Sequence, residues 1–346
     1  MNQIGISSLT LEELTAFVKK QGQPAFRAKQ IFHWLHQRNV KNFSQMTDQP
    51  KSFIAQLEEI CRIETLSIER RQQSKDGTVK YLFRLPDGNC IETVWMQYSY
   101  GNTVCVSSQV GCRMGCRFCA STQGGRIRNL TAGEIAGEIY AAMEDMQQRV
   151  SHIVLMGIGE PLDNFDNVMD FLSIISSPEG INVGMRNISL STCGLVPMIE
   201  KLADRHLQLT LSISLHAPLN EMRSSMMPVN DAYPVEQLIQ ACRDYQKQTG
   251  RRISFEYAMV RGVNDSDSTA QELARLIHGM GAHVNLIPIN PVDGSPYSAT
   301  DAANVKRFQQ TLLNLGVNAT VRRRLGTDIS AACGQLRREA KGGTAT

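Results

Sequence analysis

The sequence predicts an α/β fold, in which a partial (β/α)6 barrel follows a small N-terminal helical accessory domain and a short β extension. Three observations lead to this prediction. The first 60 residues show helical periodicity, the next segment alternates around a turn, and six apolar strand candidates alternate with helices from residue 103 onward. Six β-α units are fewer than the eight of a closed barrel, so we expect an open barrel with its site at the carboxyl ends of the strands.

The N-terminal part is predicted to form three helices, over residues 9–22, 25–39 and 51–60. Thr10 and Glu13 form a capping-box pair at the first of them. The segments KYLFRL and IETVWMQ flank the turn PDGN (86–89), which indicates a hairpin. We therefore assign residues 1–85 to the accessory domain, 86–102 to a linker and β extension, 103–325 to the barrel core and 326–346 to a C-terminal segment.

The barrel core is predicted from alternating strands and helices. The strand candidates are residues 103–108, 152–157, 188–192, 209–215, 253–260 and 283–289. The helical segments between them are residues 131–148, 167–175, 195–203, 234–246 and 270–280. Thr131 and Glu134 form a second capping box, which places a helix start after a cysteine-rich loop.

Composition narrows the class of protein. Residues 1–85 carry 13 Lys and Arg against 8 Asp and Glu, and the remainder carries 23 against 25, so a basic segment precedes a near-neutral body. Such a segment fits a phosphate-rich partner, and a solvated surface that happens to be basic fits equally well.

The sequence has no run of 18 apolar residues and no secretory pattern at its start, so we expect no membrane association and a cytoplasmic protein.

Nine cysteines are present, and a reducing cytosol favours metal-binding or catalytic roles for clustered ones. Scattered cysteines are expected to be small buried hydrophobes; they are Cys61, Cys90, Cys193 and Cys242. The clustered cysteines lie in the stretch CVSSQVGCRMGCRFCAS (105–121). Three of them, Cys112, Cys116 and Cys119, have the spacing C-x3-C-x2-C.

Three thiolates in one loop leave a [4Fe–4S] cluster with one open iron, since full ligation takes four cysteines. An open iron suits a cluster that chelates a substrate. The alternative at this point is a closed zinc site with Cys105 as the fourth ligand, although zinc ribbons normally use two separated ligand pairs.

The C-x3-C-x2-C loop, with Phe118 before its last cysteine, resembles the radical S-adenosylmethionine superfamily. The resemblance implies a [4Fe–4S] cluster on Cys112, Cys116 and Cys119, with S-adenosylmethionine bound at the open iron. It also implies cofactor contacts at strand ends, namely Gly159 and Glu160 in GIGEP, Ser191, Ser214, Leu215, His216 and Asn290. Each of these residues taken singly is more often a satisfied turn residue.

The motifs CVSSQVGC, RNLTAGEI, MGIGEPLDN, SLHAP, NLIPINP and DISAACGQL, with PAFRAKQIFHWLH near the start, resemble the RlmN/Cfr family of dual-site radical SAM RNA methyltransferases along nearly the whole chain. Pro161 and NPVDGSPY (290–297) are more similar to the RlmN branch, which methylates C2 of an adenine in the peptidyl-transferase centre of 23S rRNA and, in some members, a tRNA adenine beside the anticodon. The alternatives are methylation at C8 of the same rRNA adenine, which gives antibiotic resistance, and a non-catalytic metal-dependent RNA-binding protein.

The resemblance implies a mechanism that uses two molecules of S-adenosylmethionine per turnover. Cys333 matches the cysteine that accepts a methyl group from the first. A radical generated from the second removes hydrogen from that methyl group, and the resulting carbon radical joins adenine C2. Glu92 matches the proton acceptor, with a solvent-facing strand carboxylate as the alternative. Cys105 matches the cysteine that resolves the protein–RNA adduct and ends in a Cys105–Cys333 disulfide.

The resemblance further implies an electron donor such as flavodoxin, and we expect a monomer. Basic residues near the motifs are candidate phosphate contacts, and a solvated surface charge is an equal alternative for each of them; they are Arg126, Arg128, Arg322, Arg323 and Arg324. Ser330 departs from the family, which commonly has an acidic residue before AACGQL, and this departure puts the orientation of the Cys333 segment in doubt.

Overall fold

The computed structural model describes residues 3–289, 297–323, 325–326 and 328–329. Asn290, Arg324, Ser330 and Cys333, which the sequence analysis singled out, lie outside the described residues. Within those ranges, the helices are all too short or too polar to cross a bilayer.

Three helices open the fold, in the positions that their apolar periodicity predicts. The elements are β1 (Ile4–Gly5), α1 (Leu11–Lys20), α2 (Phe26–His36), α3 (Lys51–Ile60) and β2 (Cys61–Arg62). The predicted capping box of α1 is confirmed, because the amide of Glu13 donates to Thr10 Oγ1 and the amide of Thr10 donates to Glu13 Oε2. Strands β1 and β2 pair in parallel and join the two ends of this unit.

Four antiparallel strands follow the helical unit and form one end of the main sheet. They are β3 (Ser67–Gln73), β4 (Val79–Arg84), β5 (Cys90–Tyr98) and β6 (Gly101–Cys105). The predicted hairpin around PDGN is confirmed, with the amide of Leu85 donating to the carbonyl of Asn89 at 2.8 Å. The three N-terminal helices end at Ile60. The last part of the predicted accessory domain, residues 1–85, is therefore built from strands β2, β3 and β4.

The remaining elements mostly alternate between strand and helix, apart from the strand pair β7 and β8 and the helix run from α7 to α9. They are β7 (Gln109–Gly111), β8 (Arg126–Asn129), α4 (Ala132–Met146), β9 (His152–Leu155), α5 (Phe165–Ser176), β10 (Ile188–Thr192), α6 (Val196–Ala203), β11 (Thr210–Ser214), α7 (Asn220–Met226), α8 (Val229–Ala232), α9 (Val235–Thr249), β12 (Ile253–Met259), α10 (Asp267–Leu276), β13 (His283–Pro288), α11 (Ala302–Asn314) and β14 (Asn318–Val321). All six predicted barrel strands and the five predicted helices between them are present.

The described residues form one ten-stranded sheet in the order β14-β13-β12-β11-β10-β9-β6-β5-β4-β3. From β6 to β14 every pair is parallel. Since β3 and β14 stand at opposite ends, the sheet is open, as predicted. The sequence analysis did not predict α11 or β14; only Ala319 of β14 is buried, so this strand lacks the alternating apolar pattern that reveals the others.

Candidate active site

The carboxyl ends of the parallel strands surround a cavity of about 380 Å³. This is the position that an open barrel assigns to its site. Ten of the predicted site residues line it: Glu92, Cys105, Cys112, Cys116, Cys119, Gly159, Glu160, Ser191, Ser214 and His216. The fold therefore brings the cysteine loop, the strand ends and the face of β5 to one place.

Cys112, Cys116 and Cys119 lie in a loop that β7 and β8 close as an antiparallel hairpin. Gly111, the last residue of β7 before the loop, has a φ of +82°, and a Cβ atom there would collide with the carbonyl of Gly125. Glycine is therefore required for the two strands to approach. The Cys112 amide donates to the Gly125 carbonyl and the Cys119 amide to the Cys116 carbonyl, each at 3.1 Å. These bonds fix the loop with its cysteines in the cavity wall.

Asp163 anchors the cysteine loop to the turn after β9. Its carboxylate accepts from Arg113 Nε (3.1 Å), Arg126 Nη1 (2.7 Å) and the side-chain amide of Gln109 (2.9 Å). Arg113 lies inside the loop, and Asp163 is mostly buried. Two arginines on one buried carboxylate therefore tie the loop to the core of the protein.

Two arginines predicted to contact phosphate form ion pairs within the protein. Arg126 binds Asp163. Arg128 bridges Asp87 at 2.6 Å and Glu134 at 2.7 Å. Their guanidinium groups are thus paired with carboxylates of the protein while remaining partly exposed, and their contact with phosphate stays a prediction.

The donor set of the loop fits an iron–sulfur cluster. Burial raises the pKa of Cys112 to about 12 and raises that of Cys116 as well, so both are thiols until a metal displaces the proton. Among the described residues, no three His, Cys, Asp or Glu side chains are arranged to hold a single metal ion. Each cysteine of a [4Fe–4S] cluster binds a different iron, so its ligands need not converge on one point. Three separated cysteines in one wall fit that requirement.

Gly159 and Glu160 follow β9 and are held rigidly. Gly159 has a φ of +112°, and a Cβ atom there would lie 2.7 Å from Ser108 Oγ. The buried Glu160 carboxylate accepts from the amide of Cys193 (2.7 Å) and from the amide of Leu162 (3.0 Å). Burial raises the pKa of Glu160 above its ordinary value, and hydrogen bonds from these amides act in the opposite direction.

The ends of β10 and β11 present a polar pair and a neutral imidazole. The hydroxyl oxygens of Ser191 and Ser214 lie 3.4 Å apart. His216 has a φ of +59°, its Nδ1 accepts from the Ala258 amide at 2.9 Å, and burial lowers its pKa to about 3, so the ring is uncharged at neutral pH. Leu215 does not line the cavity, because its side chain is fully buried in the main apolar core.

Cys105 and Glu92 face the cavity from neighbouring strands. Cys105 of β6 pairs with Val94 of β5, and Glu92 lies two residues away on the same face. Glu92 is only 3% exposed, so its interpretation as a solvent-facing carboxylate is wrong. Its Oε2 lies 3.0 Å from Nζ of the fully buried Lys80. Burial raises the pKa of Cys105 to about 11, and the positive charge of Arg322 lowers it in part.

The sequence analysis missed three buried charged residues around the site. Glu256 of β12 lines the cavity and accepts from the side-chain amide of Asn285 at 2.7 Å. Lys80 pairs with Glu92, and Arg223 of α7 is fully buried. The available signal was a charged residue inside an apolar strand, in VKYLF for Lys80 and in ISFEYAM for Glu256.

Comparisons with known proteins agree with this geometry. Residues 106–274 match the model of the Radical SAM superfamily, and residues 4–63 match the ribosomal RNA large subunit methyltransferase N-terminal domain.

Two relatives carry the name "Probable dual-specificity RNA methyltransferase RlmN". The one from Clostridium novyi is 49% identical over 96% of this chain and 97% of its own length, and the one from Alkaliphilus metalliredigens is 50% identical over 98% and 96%. The crystal structure of a radical SAM methyltransferase from Sphaerobacter thermophilus matches with a TM-score of 0.91 and 46% identity, over 96% of this chain and 98% of that one. Family models at both parts of the chain, together with near-complete relatives at half identity, show that this chain belongs to the RlmN family of radical SAM RNA methyltransferases.

Proposed function

We propose that the protein transfers a methyl group from S-adenosylmethionine to C2 of an adenine in 23S rRNA, and of a tRNA adenine beside the anticodon. The relatives' name supports an RNA substrate with two specificities. The observation that carries the proposal is the presence of Cys105 and Glu92 in the same cavity as Cys112, Cys116 and Cys119. Binding RNA alone requires neither a fourth cavity cysteine nor a buried carboxylate.

Cofactor binding is assigned to the loop and the strand ends. Cys112, Cys116 and Cys119 would hold the [4Fe–4S] cluster, which supplies the electron for reductive cleavage of S-adenosylmethionine. Gly159 and Glu160 would bind the methionine moiety, since the carboxylate of Glu160 is oriented by two amides and keeps further lone pairs for a ligand. Serine hydroxyls and the neutral imidazole at the ends of β10 and β11 would orient the remainder, with Asn290 as a further predicted contact.

Glu92 is assigned the removal of the C2 proton. A base at this carbon has to be in the cavity, close to the ring and ionised. Glu92 meets the first demand because it lines the cavity, and its ion pair with Lys80 at 3.0 Å orients its carboxylate there. After a carbon radical has added to C2, the adduct has to lose one electron and one proton to restore the aromatic ring. Glu92 would take the proton, and the oxidised cluster would be the acceptor for the electron.

Cys105 is assigned the resolution of the adduct. Burial keeps it a thiol in the absence of substrate, as its pKa of about 11 shows. Arg322 lines the same cavity and is the positive charge that favours the thiolate. Attack of this sulfur on the Cys333 sulfur of the protein–RNA adduct would form a Cys105–Cys333 disulfide and break the bond from Cys333 sulfur to the methylene carbon. The electron pair of that bond would go to the carbon attached to adenine C2, which takes a proton and leaves with the RNA as its methyl group.

Cys333 is assigned the role of methyl carrier, and the segment before it is tied to the β3–β4 turn. The carboxylate of Asp328 accepts from the Ser74 hydroxyl and from the Lys75 amide, and Asp76 accepts from the Gly326 amide at 2.9 Å. Cys333 is the fifth residue after Asp328, a span of at most about 18 Å. Since Arg323 and Leu325 line the cavity, the described chain that leads to Cys333 is anchored beside it.

The RNA is assigned to the cavity mouth. Arg322 and Arg323 line the cavity and offer cations to phosphate or to an unstacked base. We further propose that residues 1–85 serve as an RNA-binding accessory domain and 86–102 as the link to the core at 103–325, with residues 326–346 carrying the methyl-bearing cysteine. A reductant such as flavodoxin, a monomeric state and a cytoplasmic location complete the proposal.

Trapping the adduct tests the two-cysteine assignment. Cys105→Ala should accumulate a covalent protein–RNA adduct in anaerobic reactions with rRNA fragments, seen as a band of reduced mobility that ribonuclease removes. Cys333→Ala should lose protein methylation altogether, and Cys90→Ala, on the same strand as Glu92, should behave as wild type. A Cys105→Ala protein that loses its iron and forms no adduct would contradict the assignment and restore Cys105 as a metal ligand.

A further inference from the structure

Arg223 is fully buried, yet its hydrogen-bond partners are uncharged. Its Nε donates to the Leu215 carbonyl (3.1 Å), Nη2 to the Cys193 carbonyl (2.6 Å) and Nη1 to the side-chain oxygen of Asn230 (3.2 Å). In the described part of the chain, no carboxylate forms an ion pair with this guanidinium. Leaving a cation uncompensated in the interior costs several kcal/mol, so a negative group is expected beside it.

The cysteine loop lies next to Arg223. The helix that carries it, α7, is bonded to the loop directly, because the Arg117 amide donates to the Met226 carbonyl at 2.9 Å. Cys116 and Cys193 pack with Met226 in a small apolar cluster, and the charge of Arg223 acts on both sulfur atoms. Apolar surroundings screen this charge weakly, so its field reaches the wall that carries Cys116.

Glu160 is the nearest alternative counter-ion along the hydrogen-bond network. Its carboxylate binds the amide of Cys193, whereas Arg223 binds the carbonyl of that residue. The backbone of Cys193 therefore separates the two groups. The family assignment places a second anion in the same wall, since three cysteine thiolates make a bound [4Fe–4S] cluster negative as a whole, and one-electron reduction makes it more negative still.

We propose that Arg223 is the counter-charge of the cluster bound by Cys112, Cys116 and Cys119, and that it raises the cluster's reduction potential. The inference rests on the cluster of the proposed function but not on the base or carbon that is methylated. One electron from an external one-electron reductant adds a negative charge to the cluster. A fixed cation stabilises the reduced form more than the oxidised form, because Coulomb attraction grows with that charge.

Reduction potentials test this directly. The reconstituted, RNA-free holoenzyme is titrated anaerobically with dithionite and the reduced cluster is followed by electron paramagnetic resonance. Arg223→Gln removes the charge but keeps an amide donor, and should shift the midpoint to a more negative potential. Arg223→Lys keeps the charge and should shift it less. Arg251→Gln is the control, because Arg251 also donates to a backbone carbonyl, that of Leu209, but precedes β12 at the opposite end of the sheet.

A second variant keeps the test decisive if Arg223→Gln does not retain its cluster. Asn230→Asp places a carboxylate where Arg223 already has a partner, which neutralises the cation without removing it. It should also lower the midpoint. A midpoint equal to wild type in Arg223→Gln, or in Asn230→Asp, would overturn the inference and leave the proposed function intact. Absence of 2-methyladenosine with the wild-type enzyme would overturn the proposed function and not the shift in potential.

Discussion

Lys80 and Glu92 form a buried ion pair between adjacent antiparallel strands, with 3.0 Å between Nζ and Oε2 and side-chain exposures of 0% and 2%. The pair lies at the edge of the cavity that also holds Cys105. A charged side chain in the protein interior destabilises the fold unless a group of opposite charge lies beside it. The two residues are therefore a unit, and neither should tolerate loss of the other.

Removing one partner of this pair should destabilise the fold. Lys80→Met removes the buried cation that lies 3.0 Å from Glu92 and is expected to lower the free energy of unfolding by about 3–5 kcal/mol, whereas the double variant Lys80→Met/Glu92→Leu should recover most of the loss. Urea unfolding measures both. Arg84→Met is the control, because Arg84 lies on the same strand as Lys80 but its pair with Glu69 is exposed, and its loss should cost less than about 1 kcal/mol. Equal losses for Lys80→Met and Arg84→Met would refute the buried-pair account.

The anchor of the cysteine loop should control cluster retention. Asp163→Asn removes the charge that holds Arg113 and Arg126, so we expect about 10-fold weaker retention of iron after anaerobic reconstitution. Iron and sulfide content after gel filtration measures this. Asp166→Asn is the matched control, since its carboxylate pairs with Lys201 and is 85% exposed. Wild-type iron content in Asp163→Asn would show that the loop holds its shape without the anchor.

The buried imidazole of His36 should make stability depend on pH. Burial lowers the pKa of His36 from 6.5 to about 3, so between these values the unfolded chain binds a proton that the folded chain does not. The folded state thus loses about 1.4 kcal/mol per pH unit from this residue as pH falls below about 6.5, and the loss stops near pH 3. His36→Gln should flatten the slope of unfolding free energy against pH, and the exposed His278→Gln should not. An unchanged slope in His36→Gln would contradict the assignment of a neutral ring.

The anchor of the C-terminal segment should set the rate of the first methylation. Asp328→Ala removes the acceptor of the Ser74 hydroxyl and the Lys75 amide, so the chain that leads to Cys333 loses an anchor beside the cavity. We expect a several-fold slower appearance of S-methylcysteine at Cys333, measured by mass spectrometry of tryptic peptides, with the cluster content unchanged. Ser74→Ala should act in the same direction, and Asp267→Ala, which breaks an exposed pair with Arg307, should have no effect. Equal rates in Asp328→Ala and wild type would remove this role.

Sequence predicted the parts of the site that local patterns encode. The spacing of Cys112, Cys116 and Cys119 within one loop, and apolar runs that end in Gly159 or Ser214, are readable because the residues are close in the chain. The six parallel strands were readable for the same reason, since burial on both faces leaves continuous apolar runs.

Relationships across the sheet were not readable. The partner of Glu92 depends on the register between β4 and β5, which places Lys80 near it, and no single-chain pattern specifies that register. Arg223 looks like a surface residue in NEMRSSM, and only the folded chain shows that α7 packs it behind the cysteine loop. Leu215 follows a polar strand end in sequence, but its side chain turns into the core instead of the cavity.

The position of the new methyl group tests the central claim most directly. RNA transcripts that contain the peptidyl-transferase centre of 23S rRNA are incubated anaerobically with reconstituted enzyme, reductant and S-adenosylmethionine, then digested to nucleosides and analysed by mass spectrometry against synthetic standards. The account predicts 2-methyladenosine, dependent on both Cys105 and Cys333. Formation of 8-methyladenosine alone, or of no methylated adenosine by an enzyme that carries its full cluster, would contradict it.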